Sequence, residues 1–173
     1  WIFRSEKSGG LVLEQGTHQF DVFNWIFDST PLSAVALGGT NNSAAAAPRQ
    51  NTMDHYGAVL EYPGGAKVQL SHLSYSIPER RFSGSSELVF CERAGVDVAN
   101  AMAWDSCGKS IELCRTGGKE THLAMESFLD SLLEGRRPEA DIEVAYRATL
   151  ASLLCSRAIE SGTKVSWDEL ESS

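Results

Sequence analysis

His55-Tyr56-Gly57-Ala58-Val59-Leu60-Glu61-Tyr62-Pro63-Gly64-Gly65-Ala66-Lys67-Val68-Gln69-Leu70-Ser71-His72 alternates in two runs on either side of a Pro-Gly-Gly break. Tyr56, Ala58, Leu60 and Tyr62 share one face of the first run, and Ala66, Val68, Leu70 and His72 repeat the pattern in the second. Successive strand side chains point to opposite faces, so the spacing predicts a β-hairpin over 55–62 and 66–72. The opposite face is not purely polar either, since it carries Val59 and, just beyond, Leu73. A sheet with apolar residues on both faces needs a cover on the second one, and a partner is the usual cover.

Working outward from the hairpin, a strand is expected at 32–38 and shorter ones at 87–91, 95–99 and 110–114. Short connections between consecutive strands favour antiparallel pairing. Helices are expected at 13–28, closed by Asp28-Ser29-Thr30-Pro31, at 120–134, stopped by Gly135, and at 141–161, stopped by Gly162. The last is rich in small apolar residues and should pack deeply. Gly38 to Pro48, with its alanine run, reads as a loop and as the most mobile segment. The order helix, strands, helices predicts an α+β fold, a mostly antiparallel open sheet of about five or six strands with helices on one face. At 173 residues, with 42% hydrophobic content, residues 1–173 are expected to form a single soluble domain.

Fifteen Lys and Arg against 23 Asp and Glu leave a formal charge of -8, which disfavours nucleic acid and anionic membranes as partners. Arg80-Arg81 and Arg136-Arg137 are isolated pairs, read as loop charges. No apolar run is long enough to span a bilayer, and no leader is visible, so the expectation is cytoplasmic. Trp1 in place of Met predicts that the sequence begins inside a longer product. Cys91, Cys107, Cys114 and Cys155 match no common zinc spacing, so no metal is expected and the thiols should be reduced and mostly buried. No Gly-rich phosphate loop follows a strand, and Gly84-Ser85-Ser86 lacks the second glycine of a serine-hydrolase elbow.

The chemistry concentrates in Gly9-Gly10-Leu11-Val12-Leu13-Glu14-Gln15-Gly16-Thr17-His18-Gln19-Phe20-Asp21. On a helix, Glu14, His18, Asp21 and Trp25 form one stripe, and Leu13, Phe20, Asn24 and Phe27 form an inward one beside it. Such an outer stripe suits a cleft wall, and it also suits a solvated helix face. The lone His72 on its strand's inward face reads as a core residue, and His55 and His122 as solvated edge residues.

A second stretch, Glu126-Ser127-Phe128-Leu129-Asp130-Ser131-Leu132-Leu133-Glu134-Gly135-Arg136-Arg137-Pro138, precedes a long Ala-rich helix and Glu160-Ser161-Gly162-Thr163-Lys164-Val165. Together with the glycine pair, the acid-x-x-x-His-x-x-Asp run and Asn24-Trp25-Ile26-Phe27, the chain resembles the C-terminal domain of the Gfo/Idh/MocA oxidoreductases over nearly its whole length. Many members carry Asp where this chain has Glu14. The resemblance implies a preceding Rossmann domain that binds NAD or NADP and supplies a lysine, neither being part of this chain. It implies hydride transfer between nicotinamide and a carbinol carbon of a sugar, polyol or derivative. His18 stands at the position that moves the hydroxyl proton, work suited to an imidazole because it titrates near neutral pH. Glu14 would assist it, while Asp21, Arg4 and Trp1 would line the substrate pocket. The sheet face would serve as the interface of a homodimer or tetramer. Two alternatives stay open: an NAD-dependent glycosidase-type member, and a non-enzymatic dimerising or sugar-binding module.

Overall fold

The structure is a computed structural model that describes residues 1–2, 4–40, 52–74, 84–113 and 120–171. Of the loop expected at 38–48, Gly38 and Gly39 instead close a strand, and residues 41–48, like Arg80-Arg81 and Cys114, lie outside the described residues. The chain divides into two compact units, Trp1–Tyr75 with Ala140–Ser173, and Ser76–Glu139. Its antiparallel sheets and helices give the expected α+β class.

The first unit is built on the hairpin. β1 (Ser33–Gly39), β2 (His55–Glu61) and β3 (Lys67–Leu73) pair antiparallel, and the two-residue β8 (Val165–Ser166) joins β1 at the edge, giving the order β3-β2-β1-β8. The register sets Tyr56 opposite His72, Ala58 opposite Leu70 and Leu60 opposite Val68, as the alternation requires. Pro63–Gly65 makes the turn as a short 3-10 segment in which Tyr62 N–H donates to Ala66 C=O at 2.9 Å. At the polar end of the sheet the Glu61 carboxylate accepts from Lys67 Nζ at 2.8 Å and Lys164 Nζ at 2.9 Å, tying β2 to β3 and to the segment before β8.

One face of this sheet is covered by α1 (Thr17–Phe27) and α3 (Ile142–Ser161), and α4 (Trp167–Glu171) follows β8. Ala148, Ala151 and Ala158 let α3 approach closely, and with Phe20, Tyr56, Leu60, Tyr62, Leu154 and Cys155 they make the core. Asp141 caps α3, its Oδ1 accepting from Glu143 N–H and Val144 N–H at 2.9 and 3.0 Å. The other face leaves Val35, Leu37, Val59 and Leu73 exposed, Leu37 by 71%.

The second unit is a meander of β4 (Leu88–Phe90), β5 (Ala94–Asp97), β6 (Met102–Asp105) and β7 (Ser110–Glu112), with α2 (Glu120–Glu134). Thus the strands form two four-stranded sheets where one sheet of about five or six was expected. The connection from Leu73 to Leu88 far exceeds a hairpin loop of about 2–5 residues, so β4 is free to start a separate meander. β6 was not foreseen. In α2 Ser131 is buried while Met125, Phe128, Leu129, Leu132 and Leu133 are exposed.

Candidate functional site

The segment that carries the predicted site is helical from Gly10, but Val12–Gly16 is a π-turn and regular α-helix starts only at Thr17. The i→i+5 pattern of a π-turn is wider than an α-turn and breaks the i, i+4 alignment that would stack Glu14 over His18. Glu14 is turned back onto the helix entry. Its Oε1 accepts from Ser8 Oγ at 3.0 Å and from Gly9 N–H at 3.3 Å, while Ser8 Oγ accepts from Gly10 N–H at 3.0 Å. Gly10 has φ +71°, the left-handed region that glycine enters without strain. The glycine pair is therefore a turn whose two N–H groups are already bonded. It offers no free cradle for a pyrophosphate at Gly9 and Gly10.

His18 is exposed and Asp21 half-buried, and neither side chain has a hydrogen bond or ion pair among the described residues. Farther along the same side Val22 and Trp25 are exposed, Trp25 by 81%. The inward side of the helix is as expected: Phe20 is fully buried, Leu13 and Phe27 pack on the core, and Asn24 Oδ1 accepts from the buried Tyr62 hydroxyl at 2.9 Å. Asp28 ends α1 in the left-handed conformation at φ 45°. Trp1 and Arg4 are both exposed in the turn that starts the chain, Arg4 N–H donating to Trp1 C=O at 3.0 Å. No hydrogen bond, ion pair or ring contact joins Trp1 or Arg4 to Glu14, His18 or Asp21 among the described residues. Glu14 is thus gathered with Ser8, Gly9 and Gly10, and His18 stands apart on the helix surface.

The helix is seated by residues that were not singled out as site residues. Thr17 Oγ1 donates to Leu13 C=O at 2.6 Å and lies 2.8 Å from the hydroxyl of the buried Ser152 on α3. Gly16 rests on the end of Tyr56, where a Cβ would stand 2.5 Å from the hydroxyl oxygen. A glycine inside a helix costs about 1 kcal/mol relative to alanine, and its place between Glu14 and His18 is the sequence signal that could have pointed to this contact.

The remaining candidates resolve into structural roles. His72 is half-buried on the inward face of β3, with its ring 5.7 Å from that of Tyr56, and burial lowers its pKa. His55, expected at a solvated edge, has Nδ1 2.7 Å from the buried Asp54 carboxylate. Cys155 is buried, but Cys91 and Cys107 are exposed, contrary to the expectation of mostly buried thiols, because both stand at turns of the thin second sheet. No three His, Cys, Asp or Glu side chains among the described residues could hold a metal ion together. A cleft of about 390 Å³ lies between the end of α1, α3 and α4, against Asp28, Thr30, Tyr146, Arg147 and Trp167, and none of the five predicted site residues lines it. No described helix is long and apolar enough to cross a membrane.

The family model for the GFO/IDH/MocA C-terminal domain matches residues 1–96, a span that takes in the His18 helix and the whole β2–β3 hairpin. The chain belongs to that family. Among solved structures the chain is similar in fold to aldose-aldose oxidoreductase from Caulobacter crescentus complexed with glycerol, on which it superposes with a TM-score of 0.75 at 16% identity over 96% of this chain and 50% of that one. An oxidoreductase from Agrobacterium radiobacter, in complex with NAD+, L-tartaric acid and magnesium, has a TM-score of 0.71 at 12% identity, covering 91% of this chain and 49% of its own. A dehydrogenase from Bordetella pertussis, in complex with NADH and UDP-GlcNAcA, has a TM-score of 0.69 at 18% identity, covering 91% and 45%. At such identities the likeness is one of fold. The GFO/IDH/MocA chain described here spans about half the length of these structures. No curated protein matches it by sequence.

Proposed function

We propose that this GFO/IDH/MocA C-terminal domain is the substrate-binding and oligomerisation half of an NAD(P)-dependent oxidoreductase acting on a carbinol carbon of a sugar, polyol or derivative. The nicotinamide would be held by a separate Rossmann half, which fits both the occupied N–H groups of Gly9 and Gly10 and the twofold greater length of the solved structures. Nicotinamide is the hydride carrier in this chemistry. What the present chain contributes is the proton site: as the carbinol C–H leaves as hydride, the hydroxyl proton passes to the His18 imidazole, and it returns from there in the reverse direction. One observation carries this reading: His18 is exposed on a helix locked to the core at Gly16 and Thr17, with no partner of its own among the described residues. Asp21 and, from the helix entry, Glu14 would bind substrate hydroxyls, with Arg4 and Trp1 at the pocket rim. The exposed Val35, Leu37, Val59 and Leu73 face would join copies into a homodimer or tetramer, and the site of action would be the cytoplasm.

The test uses the complete gene product. Energy transfer from tryptophan to NADH should appear on titrating NADH into that product and not into the 173-residue chain. In the complete protein, His18→Ala should lower turnover by about 10²-fold or more with dinucleotide affinity unchanged. Turnover retained by His18→Ala would end the assignment of His18 as the proton site.

A further inference from the structure

We propose that Tyr56 and Gly16 are a positioning pair for His18, in which the Tyr56 hydroxyl acts as a steric stop that fixes how deeply the helix sits on the sheet. The inference rests on the reading of His18 given above and extends it to residues of the opposite layer.

Tyr56 comes from β2 and is 2% exposed. Its ring is held by packing, with His72 at 5.7 Å on the neighbouring strand. Its hydroxyl is buried and has no hydrogen-bond partner among the described residues. A buried hydroxyl without a partner costs about 1–3 kcal/mol, so hydrogen bonding does not account for a tyrosine here where phenylalanine would pack. What the oxygen does touch is the backbone of Gly16, the last residue of the π-turn. A Cβ there would stand 2.5 Å from the hydroxyl oxygen, 3.1 Å from Phe20 Cε2 and 3.6 Å from Tyr56 Cζ. Contacts between 3.4 and 4 Å are ordinary, so an alanine at this position has to lift the helix by about 1 Å or displace a buried ring.

The next residue, Thr17, is fixed to α3 through Ser152. The helix is therefore registered against the sheet at Gly16 and against α3 at Thr17, and His18 follows directly. Neither Tyr56 nor Gly16 need touch substrate. They act through the place at which they hold the imidazole, and a misplacement of about 1 Å can cost about 10²-fold in rate.

The Cζ distance makes the idea testable by a paired substitution. Tyr56→Phe deletes the stop, leaving ring carbon at 3.6 Å from a new Cβ, with only Phe20 still needing to give a few tenths of an ångström. In the complete protein, with the aldose or polyol that it oxidises best, Gly16→Ala should lower kcat by about 10²-fold with KM for the dinucleotide unchanged. Tyr56→Phe alone, which removes the stop and leaves a gap above Gly16, should lower kcat by about tenfold, and Gly16→Ala/Tyr56→Phe, in which the new Cβ meets the ring at ordinary contact distance, should recover toward the parent; a Tyr56→Phe protein that turns over like the parent overturns the stop. If Gly16 matters only for stability, the melting temperature falls while kcat per folded molecule stays put, and the inference is wrong.

A second readout needs no turnover. The His18 ring resonances of the present chain, assigned by comparison with His18→Gln, should shift in Gly16→Ala and return in the double variant; resonances that never move overturn the positioning role. Should the parent oxidise no carbinol at all, the oxidoreductase reading fails and the ring resonances still decide this one. Should Gly16→Ala not fold, the double variant decides: a fold and His18 signal like the parent's support the stop, and a double variant no better than Gly16→Ala refutes it.

Discussion

Tyr56→Phe and Tyr62→Phe remove the same atom from two tyrosines of one core, and they should move stability in opposite directions. The Tyr62 hydroxyl donates to Asn24 Oδ1 at 2.9 Å, and Asn24 Nδ2 is already buried without a partner. Deleting the phenolic oxygen leaves both ends of that amide unpaired, losing a hydrogen bond of about 1 kcal/mol net and exposing a desolvation penalty of about 1–3 kcal/mol. A loss of about 2 kcal/mol is expected. The Tyr56 hydroxyl has no such partner, so its removal relieves a penalty and should raise stability by about 1 kcal/mol after the small loss of packing. For a chain of this size, 1 kcal/mol moves the melting midpoint by about 2–4 °C. Urea unfolding followed by circular dichroism measures both, and unchanged m-values would show that the comparison is of stability and not of compactness. Combining Tyr62→Phe with Asn24→Ala closes a cycle whose coupling should be about 1 kcal/mol. The reasoning is refuted if Tyr56→Phe destabilises as much as Tyr62→Phe, because the Tyr56 oxygen would then have a partner after all.

Alkaline unfolding should begin with Cys155, whose thiol burial pushes up from 9.0 to about 12. Above about pH 9 the unfolded chain loses this proton and the folded chain keeps it, so stability falls as pH rises toward 12, by about 1.4 kcal/mol per pH unit. Tyr56 and Tyr62, both raised by burial, add to the slope above pH 10. Cys155→Ala should be less stable at neutral pH yet flatter between pH 9 and 10, and an unchanged slope there, seen in urea midpoints against pH, would count against the buried thiol. On the open sheet face, Leu37→Glu with Leu73→Glu should turn an oligomer into monomers in sedimentation equilibrium, each leucine being worth about 1.5–3 kcal/mol if buried. A parent protein that is itself monomeric would dispose of that interface.

The hairpin and the helices were legible because their residues repeat a period long enough to be unambiguous. The hairpin register followed from four alternating positions on each strand, and α2 and α3 from glycine stops after a helical pattern. β6 and β8 were not foreseen, although β4, β5 and β7, no longer than β6, were, so length alone does not decide which strands can be read. The division into two sheets depends on a connection whose length, and not whose composition, separates Leu73 from Leu88.

The candidate residues could be picked from the sequence, but how the fold disposes them relative to one another could not. Glu14 and His18 read as a pair because four residues bring two side chains together on an α-helix. A π-turn between them undoes that alignment without altering which residues are apolar, so no hydrophobic pattern could announce it. The two side chains then divide in role by what already occupies them. Glu14 spends its carboxylate on the Ser8 hydroxyl and the Gly9 N–H, holding the helix entry closed, so any substrate contact it makes must compete with those bonds. His18 has no internal bond to give up, and the cost of positioning it is borne by Gly16, Thr17 and Tyr56, which are buried or bonded before any substrate arrives. An imidazole held in place from behind and free in front can exchange a proton without reorganising its own shell, and that is the physical ground for setting it ahead of the acid.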